Sequence, residues 1–186
     1  MTLKRSDAID LEIIDEKYQT NRMLTLAQKE FRHKNIIEAV SILHSAIEKH
    51  LFVSWYTAVY LKFGKSPFQT MKGNYNAYLG YKELSTVLFQ IGLIDENIYP
   101  KLMKFNALRN EVIHEMMKLE SVRKKKLKLC DIKKEFQNGI DCYKDSKKIK
   151  DKHMHMLKLR ITQGQKKLEK SLKELDKLSR KHGISI

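Results

Sequence analysis

Residues 35–64 read NIIEAVSILHSAIEKHLFVSWYTAVYLKFG, and this stretch decides the fold class. Ile37, Val40, His44, Ile47, Leu51 and Trp55 recur at three- and four-residue spacing. That spacing winds them onto one wide face of an amphipathic helix. Asn35 offers the N-cap, and Gly64-Lys65-Ser66-Pro67 is the stop signal. No Gly or Pro occurs from residue 6 to residue 63, so nothing in this region punctuates a helix from within. Working backward, Ser6 and Asp7 start a helix with a short stripe of Ile9, Ile13 and Ile14. A break near Thr20 and Asn21 leads into a second helix ending about Phe31.

Working forward, residues 64–80 are a long loop in which Gly64, Pro67, Gly73 and Gly80 interleave with Phe68, Tyr75 and Tyr78. A short helix over Tyr81–Ile91 closes at Gly92. Asp95 or Glu96 opens the next, with Pro100 tolerated in its first turns, and it runs to about Leu119. Ser121 caps a further helix carrying Leu129, Ile132, Phe136, Ile140 and Tyr143, weakened by Gly139. Beyond Lys144 the apolar positions thin to Met154, Leu157, Ile161, Leu168, Leu172, Leu175 and Leu178, a narrow coiled-coil-like seam. Gly164 lies in that seam and gives a place for a kink or a hairpin bend. No segment reads as a strand. The expectation is an all-α bundle of four to five helices over residues 1–143, with a long basic C-terminal helix or helical hairpin over 144–186.

Composition agrees. The 186 residues are 42% hydrophobic with only 7 Gly and 2 Pro, which argues against an all-β or disordered chain. Two cysteines, Cys130 and Cys142, are too few for a disulfide scaffold and point to a reducing cytoplasm. No secretory signal pattern appears at the N-terminus, and no apolar run approaches the ~18 residues of a membrane span. The net charge of +15 is unevenly spread: residues 1–120 hold 16 basic and 14 acidic residues, and 121–186 hold 21 and 8. Such asymmetry fits a polyanionic partner, nucleic acid first, although a solvated Lys-rich helix gives the same pattern. Lys outnumbers Arg 30 to 7, and Lys meets phosphate as a point charge with little sequence discrimination.

The chemistry concentrates in Leu102–Leu119. On a helix, Phe105, Leu108, Val112, Met116 and Leu119 form the core stripe, with Arg109 at its edge. Met103, Asn106, Asn110, Ile113, His114 and Met117 form a second, mixed face, the composition expected where another subunit packs. Asn110 and His114 are four apart, so Asn110 is placed to orient the imidazole. Arg109 and His114 lie about 7.5 Å apart along the axis and roughly 140° apart around it. Within one helix they converge poorly on one phosphate; two helices across a two-fold axis bring two Arg and two His to one groove. Histidine can take the proton of a ribose 2′-hydroxyl, and arginine can stabilise the charge that builds on phosphorus.

The run Arg109-Asn110-Glu111-Val112-Ile113-His114 resembles the Arg-x4-6-His motif of the HEPN superfamily in its Arg-Asn-x-x-x-His form. The approach through Gly92-Leu93-Ile94-Asp95-Glu96, Leu102, Phe105 and Leu108 is similar, as is an earlier helix with Ala39, Ala46, Ile47, Glu48 and Leu51. The resemblance covers roughly residues 20–143. It implies a HEPN-like helical bundle, a homodimer and metal-independent endoribonuclease activity, of the kind common in toxin–antitoxin, abortive-infection and CRISPR-linked defence. Arg109 and His114 are then catalytic and Asn110 supporting. One toxin branch carries Tyr two residues after the His; Met116 stands there instead. Expected partners are RNA, a second copy of the chain, and an antitoxin or effector-complex protein, with no membrane. The cations expected to meet RNA phosphates are Lys104, Lys124, Lys125, Lys126, Lys147 and Lys148. The alternative is a catalytically silent HEPN-like protein that binds nucleic acid or scaffolds a partner.

Other candidates weigh less. His44 reads as a hydrogen-bonded core histidine. Glu48 reads as a surface carboxylate, with a place in the groove as the other option. Tyr75, Tyr78 and Tyr81 either stack on bases or pack the bundle. His153 and His155 diverge by about 200° on a helix, and Cys130 and Cys142 lie twelve apart, so no zinc set is expected. No Walker loop, dinucleotide fingerprint or Gly-x-Ser-x-Gly elbow is present, so no cofactor is expected.

Overall fold

The computed structural model describes residues 20–64, 79–117 and 129–182. Among them the protein is all α, with five helices and no strand. These are α1 (Thr20–Arg32), α2 (Ile36–Phe63), α3 (Tyr81–Gln90), α4 (Tyr99–Met117) and α5 (Leu129–His182). The expectations placed on Ser6–Ile14, Tyr75, Tyr78, Ser121 and Lys124–Lys126 lie outside the described residues.

Local chemistry sets the boundaries. Lys34 adopts φ 65°, turning the chain between α1 and α2. Asn35 takes the N-cap position, and its carbonyl accepts from the Ala39 amide at 3.0 Å. Its side chain does not cap α2; it donates to Glu30 at 2.6 Å. Gly64, left-handed at φ 67°, ends α2 with its amide on the Tyr60 carbonyl, the conformation that glycine reaches without a Cβ clash. Asp95 Oδ1 accepts from the Asn97 and Ile98 amides, both at 2.9 Å, and so opens the turn that feeds α4.

Helix α2 is the central post, against which α1, α3, α4 and α5 all pack. The sequence places one face inside, and Val40, His44, Ile47, Leu51 and Trp55 are indeed buried. Leu43, Ala46, His50, Ser54 and Thr57 are buried as well, because neighbours surround the helix rather than cover one side. The α2–α5 contact is unusually polar: His50 Nδ1 lies 3.1 Å from Ser146 Oγ, and Thr57 Oγ1 donates to Met154 Sδ. Phe31 stacks on Phe136 at 4.0 Å and joins α1 to the start of α5.

Helix α5 runs across the expected boundary at residues 143 and 144. It then passes Gly164 without interruption, so there is no hairpin. One glycine costs a helix only about 1 kcal/mol, too little to break a run of helix-forming residues. At 54 residues the helix is about 80 Å long. It is held by the bundle as far as Leu157, which is 1% exposed; residues 162–175 are all exposed. Gly139 proves a packing position: a Cβ there would come within 3.0 Å of three ring carbons of Phe105, so the missing side chain lets α4 and α5 approach. No described helix is long and apolar enough to cross a membrane.

Candidate functional site

A cleft of about 300 Å³ opens where α2, the start of α3 and α4 meet. Ser41, His44, Ser45 and Glu48 come from α2, Tyr81, Lys82 and Glu83 from α3, and Asn106 and Arg109 from α4. The α2 residues share one helix face because they recur at i, i+3, i+4 and i+7. Asn106 and Arg109 are three apart on α4 and meet that face from the opposite side.

His44 is both a core residue and a wall of the cleft. Its ring stacks on Tyr81 at 4.2 Å, and its Nε2–H donates to Asn106 Oδ1 at 3.0 Å. Burial pushes its pKa down to about 4, an effect the Asn106 bond opposes and the Arg109 charge reinforces. The imidazole is therefore neutral at neutral pH and acts as a fixed donor to Asn106.

Glu48 is half-buried in the cleft, not a surface carboxylate. Burial raises its pKa, the Tyr81 backbone N–H and the Arg109 charge pull it down, and Glu83 pushes it up. That Tyr81 amide belongs to the first turn of α3, whose N-cap is Gly80 and so offers no side chain of its own. Glu48 caps α3 from across the bundle and is itself held in place by doing so.

Arg109 is half-buried at the cleft. Its Nη1 donates to Asn110 Oδ1 at 3.1 Å, and its Nε is buried without a hydrogen-bond partner. The amide of Asn110 thus turns to its neighbour Arg109 rather than to His114. His114 is exposed further along α4 and does not line the cleft, and neither does Asn110. The structure thus gathers Arg109 with His44, Glu48 and Asn106, and leaves Asn110 and His114 on the outer surface of α4. Met103 and Ile113 are half-buried, and Asn106, expected on the same mixed face, turns instead into the cleft. Of the predicted core stripe, Phe105, Leu108 and Val112 are buried and Leu102 joins them, while the side chains of Met116 and Leu119 lie outside the described residues.

Among the predicted phosphate-binding cations, Lys104 is exposed on α4 and Lys148 exposed on α5, while Lys147 is half-buried. Lys148 also pairs with Asp145 at 3.4 Å. Tyr81 is buried, 3% exposed, and packs the bundle rather than offering a stacking face. Burial lifts the Cys142 thiol to about 12, which keeps it protonated and unreactive. Among the described residues no group of three or more His, Cys, Asp or Glu is placed to hold a metal ion. The sequence alone did not join Asn106 to His44, which is 62 residues away; the i+4 spacing of His44 and Glu48 was the one local signal for the cleft. No protein-family model, no curated protein and no solved structure matches the chain.

Proposed function

We propose that this protein is a metal-independent endoribonuclease of HEPN type, with a site composed across a homodimer, acting in a prokaryotic defence or toxin–antitoxin setting. The observation that carries this reading is the way α4 holds its polar residues. Arg109 is fixed at a cleft with Nη1 on Asn110, and His114 stands exposed on the same helix outside that cleft. One α4 therefore brings its Arg109 to the cleft but not its own His114. A second copy packed about a two-fold axis on the mixed face of α4 supplies the missing histidine.

In that groove one His114 takes the proton of a ribose 2′-hydroxyl, and the 2′-oxygen attacks the adjacent phosphorus. Arg109 meets the added charge on the phosphoryl oxygens with charge-assisted hydrogen bonds. The bond from phosphorus to the 5′-oxygen breaks, and the leaving oxygen takes up a proton from solvent. The products are a 2′,3′-cyclic phosphate and a 5′-hydroxyl. The test is cleavage of mixed single-stranded RNA in EDTA, with the ends analysed for cyclic phosphate. Wild type should cut; His114→Ala and Arg109→Ala should lose activity by at least a hundred-fold while remaining folded. Equal cleavage by wild type and His114→Ala would sink the assignment.

A second reading has its own observation. The exposed part of α5 carries Lys158, Arg160, Lys166, Lys167, Lys170 and Lys173, a cationic rod that suits a nucleic-acid backbone with or without catalysis. In that reading the protein is a silent HEPN-like binder or scaffold. It gives salt-sensitive RNA binding and no turnover.

A further inference from the structure

The cleft beside Arg109 is shaped and charged for a ligand of its own. Its volume, about 300 Å³, lies at the bottom of the range for small-molecule sites, which suits one heterocyclic base rather than a whole nucleotide. Its walls are held before any ligand arrives. His44 is clamped between Tyr81 and Asn106, and Glu48 is fixed by the Tyr81 amide. Gly80 keeps the space beside the carboxylates open: a Cβ there would lie 2.9 Å from a Glu83 oxygen and 4.0 Å from a Glu48 oxygen.

The polar groups are of two kinds. Arg109 is a donor whose buried Nε has no partner within the protein, and Glu48 is an acceptor. The matching ligand carries acceptors on one edge and adjacent donors on another, on a rigid ring. Among the RNA bases guanine does so. Its O6 and N7 suit an arginine, and its N1–H and N2–H pair with the two oxygens of a carboxylate. Adenine sets the N1 acceptor beside its single amino group, cytosine sets N3 there, and uracil flanks N3–H with two carbonyls. Each of these puts a lone pair against Glu48.

We propose that the cleft is a guanine pocket in which Glu48 reads the Watson–Crick edge and Arg109 the O6/N7 edge. Guanine in the pocket lies next to Arg109. The pocket therefore selects the nucleotide flanking the bond to be cut; this last step rests on the nuclease reading, whereas the binding itself does not.

The test has two arms. In the first, GMP, AMP, CMP and UMP are titrated separately into the full chain and followed by amide chemical shifts. GMP should bind roughly ten- to a hundred-fold tighter than the others, the discrimination expected of a bidentate contact. Inosine monophosphate, which lacks the 2-amino group, should bind about ten-fold weaker than GMP, and Glu48→Gln should erase the difference between the bases. Inosine monophosphate tests the carboxylate contact without any substitution, should the variant not fold. Equal binding of all four nucleotides, or a GMP preference untouched by Glu48→Gln in a folded protein, overturns the proposal. In the second arm, a randomised single-stranded RNA pool is digested and the cut sites sequenced. Guanine should be enriched at one position beside the cut, and its ratio to other bases should fall at least ten-fold in Glu48→Gln. Cleavage without guanine enrichment, with no selective GMP binding, overturns the pocket and leaves the nuclease standing. Selective GMP binding without cleavage does the reverse.

Discussion

His44 and Asn106 carry much of the argument at the scale of single residues. The pattern in α2 placed His44 on the apolar face, and it is buried there; its bond to Asn106 was invisible because no rule of spacing links residues 62 positions apart. Arg109, Asn110 and His114 were legible because their types and intervals are local to one helix. The burial of the histidines has a measurable consequence. His44 is held at a pKa of about 4 and His50 at about 3, both by desolvation foremost, against 6.5 for the free group. Below pH 6.5 the unfolded chain therefore binds more protons than the folded one, and stability falls as pH falls. Between pH 6.5 and 5.5, above the range where carboxylates titrate, each histidine should cost about 1 kcal/mol. Urea unfolding at the two values checks this, and His50→Gln should remove about 1 kcal/mol of the loss. A flat profile over that interval would contradict the burial of both rings.

The helices themselves were legible from their punctuation: Gly64, Gly92 and Asp95 fall where the chain turns. What periodicity misjudged was the meaning of glycine inside a helix. Gly139 counted as a flaw in the α5 pattern, yet it faces the Phe105 ring with no room for a methyl group. Gly164 reads as a place for a kink or a hairpin bend, yet the helix runs through it, with nothing within 4 Å of an added Cβ. The two sites should respond in opposite directions to the same change. Gly139→Ala should destabilise by about 1–3 kcal/mol through overpacking, outweighing its gain in helix propensity. Gly164→Ala should stabilise by about 0.4–1 kcal/mol, since only backbone entropy changes. Thermal or urea unfolding of both variants decides the matter. A stabilised Gly139→Ala would mean that α4 and α5 do not approach as closely as Phe105 requires.

At the scale of the whole molecule, the described helices gather around α2, and α5 runs on past Leu157 with residues 162–175 exposed. The charge asymmetry foretold a basic end. It did not show that α5 would be one helix or that burial would persist to Leu157, because both depend on the partner surface α2 presents. Beyond that point Leu168, Leu172 and Leu175 stand about half exposed among lysines. Deleting residues 164–186 should leave the unfolding free energy within about 1 kcal/mol, since the described positions there, 164–175, are exposed and contribute little. It should also weaken RNA binding and flatten its dependence on salt, as fewer counterions are released. An unchanged salt slope would remove the rod from the binding account. The central claim is that cutting needs an arginine from one chain and a histidine from another. Arg109→Ala and His114→Ala chains, each inactive alone, are co-expressed, and the mixed dimer is assayed for RNA cleavage in EDTA. Activity restored well above either parent is expected, because the mixed groove again holds one Arg109 and one His114. No recovery in a mixed dimer, beside an active wild type, would contradict the composite site.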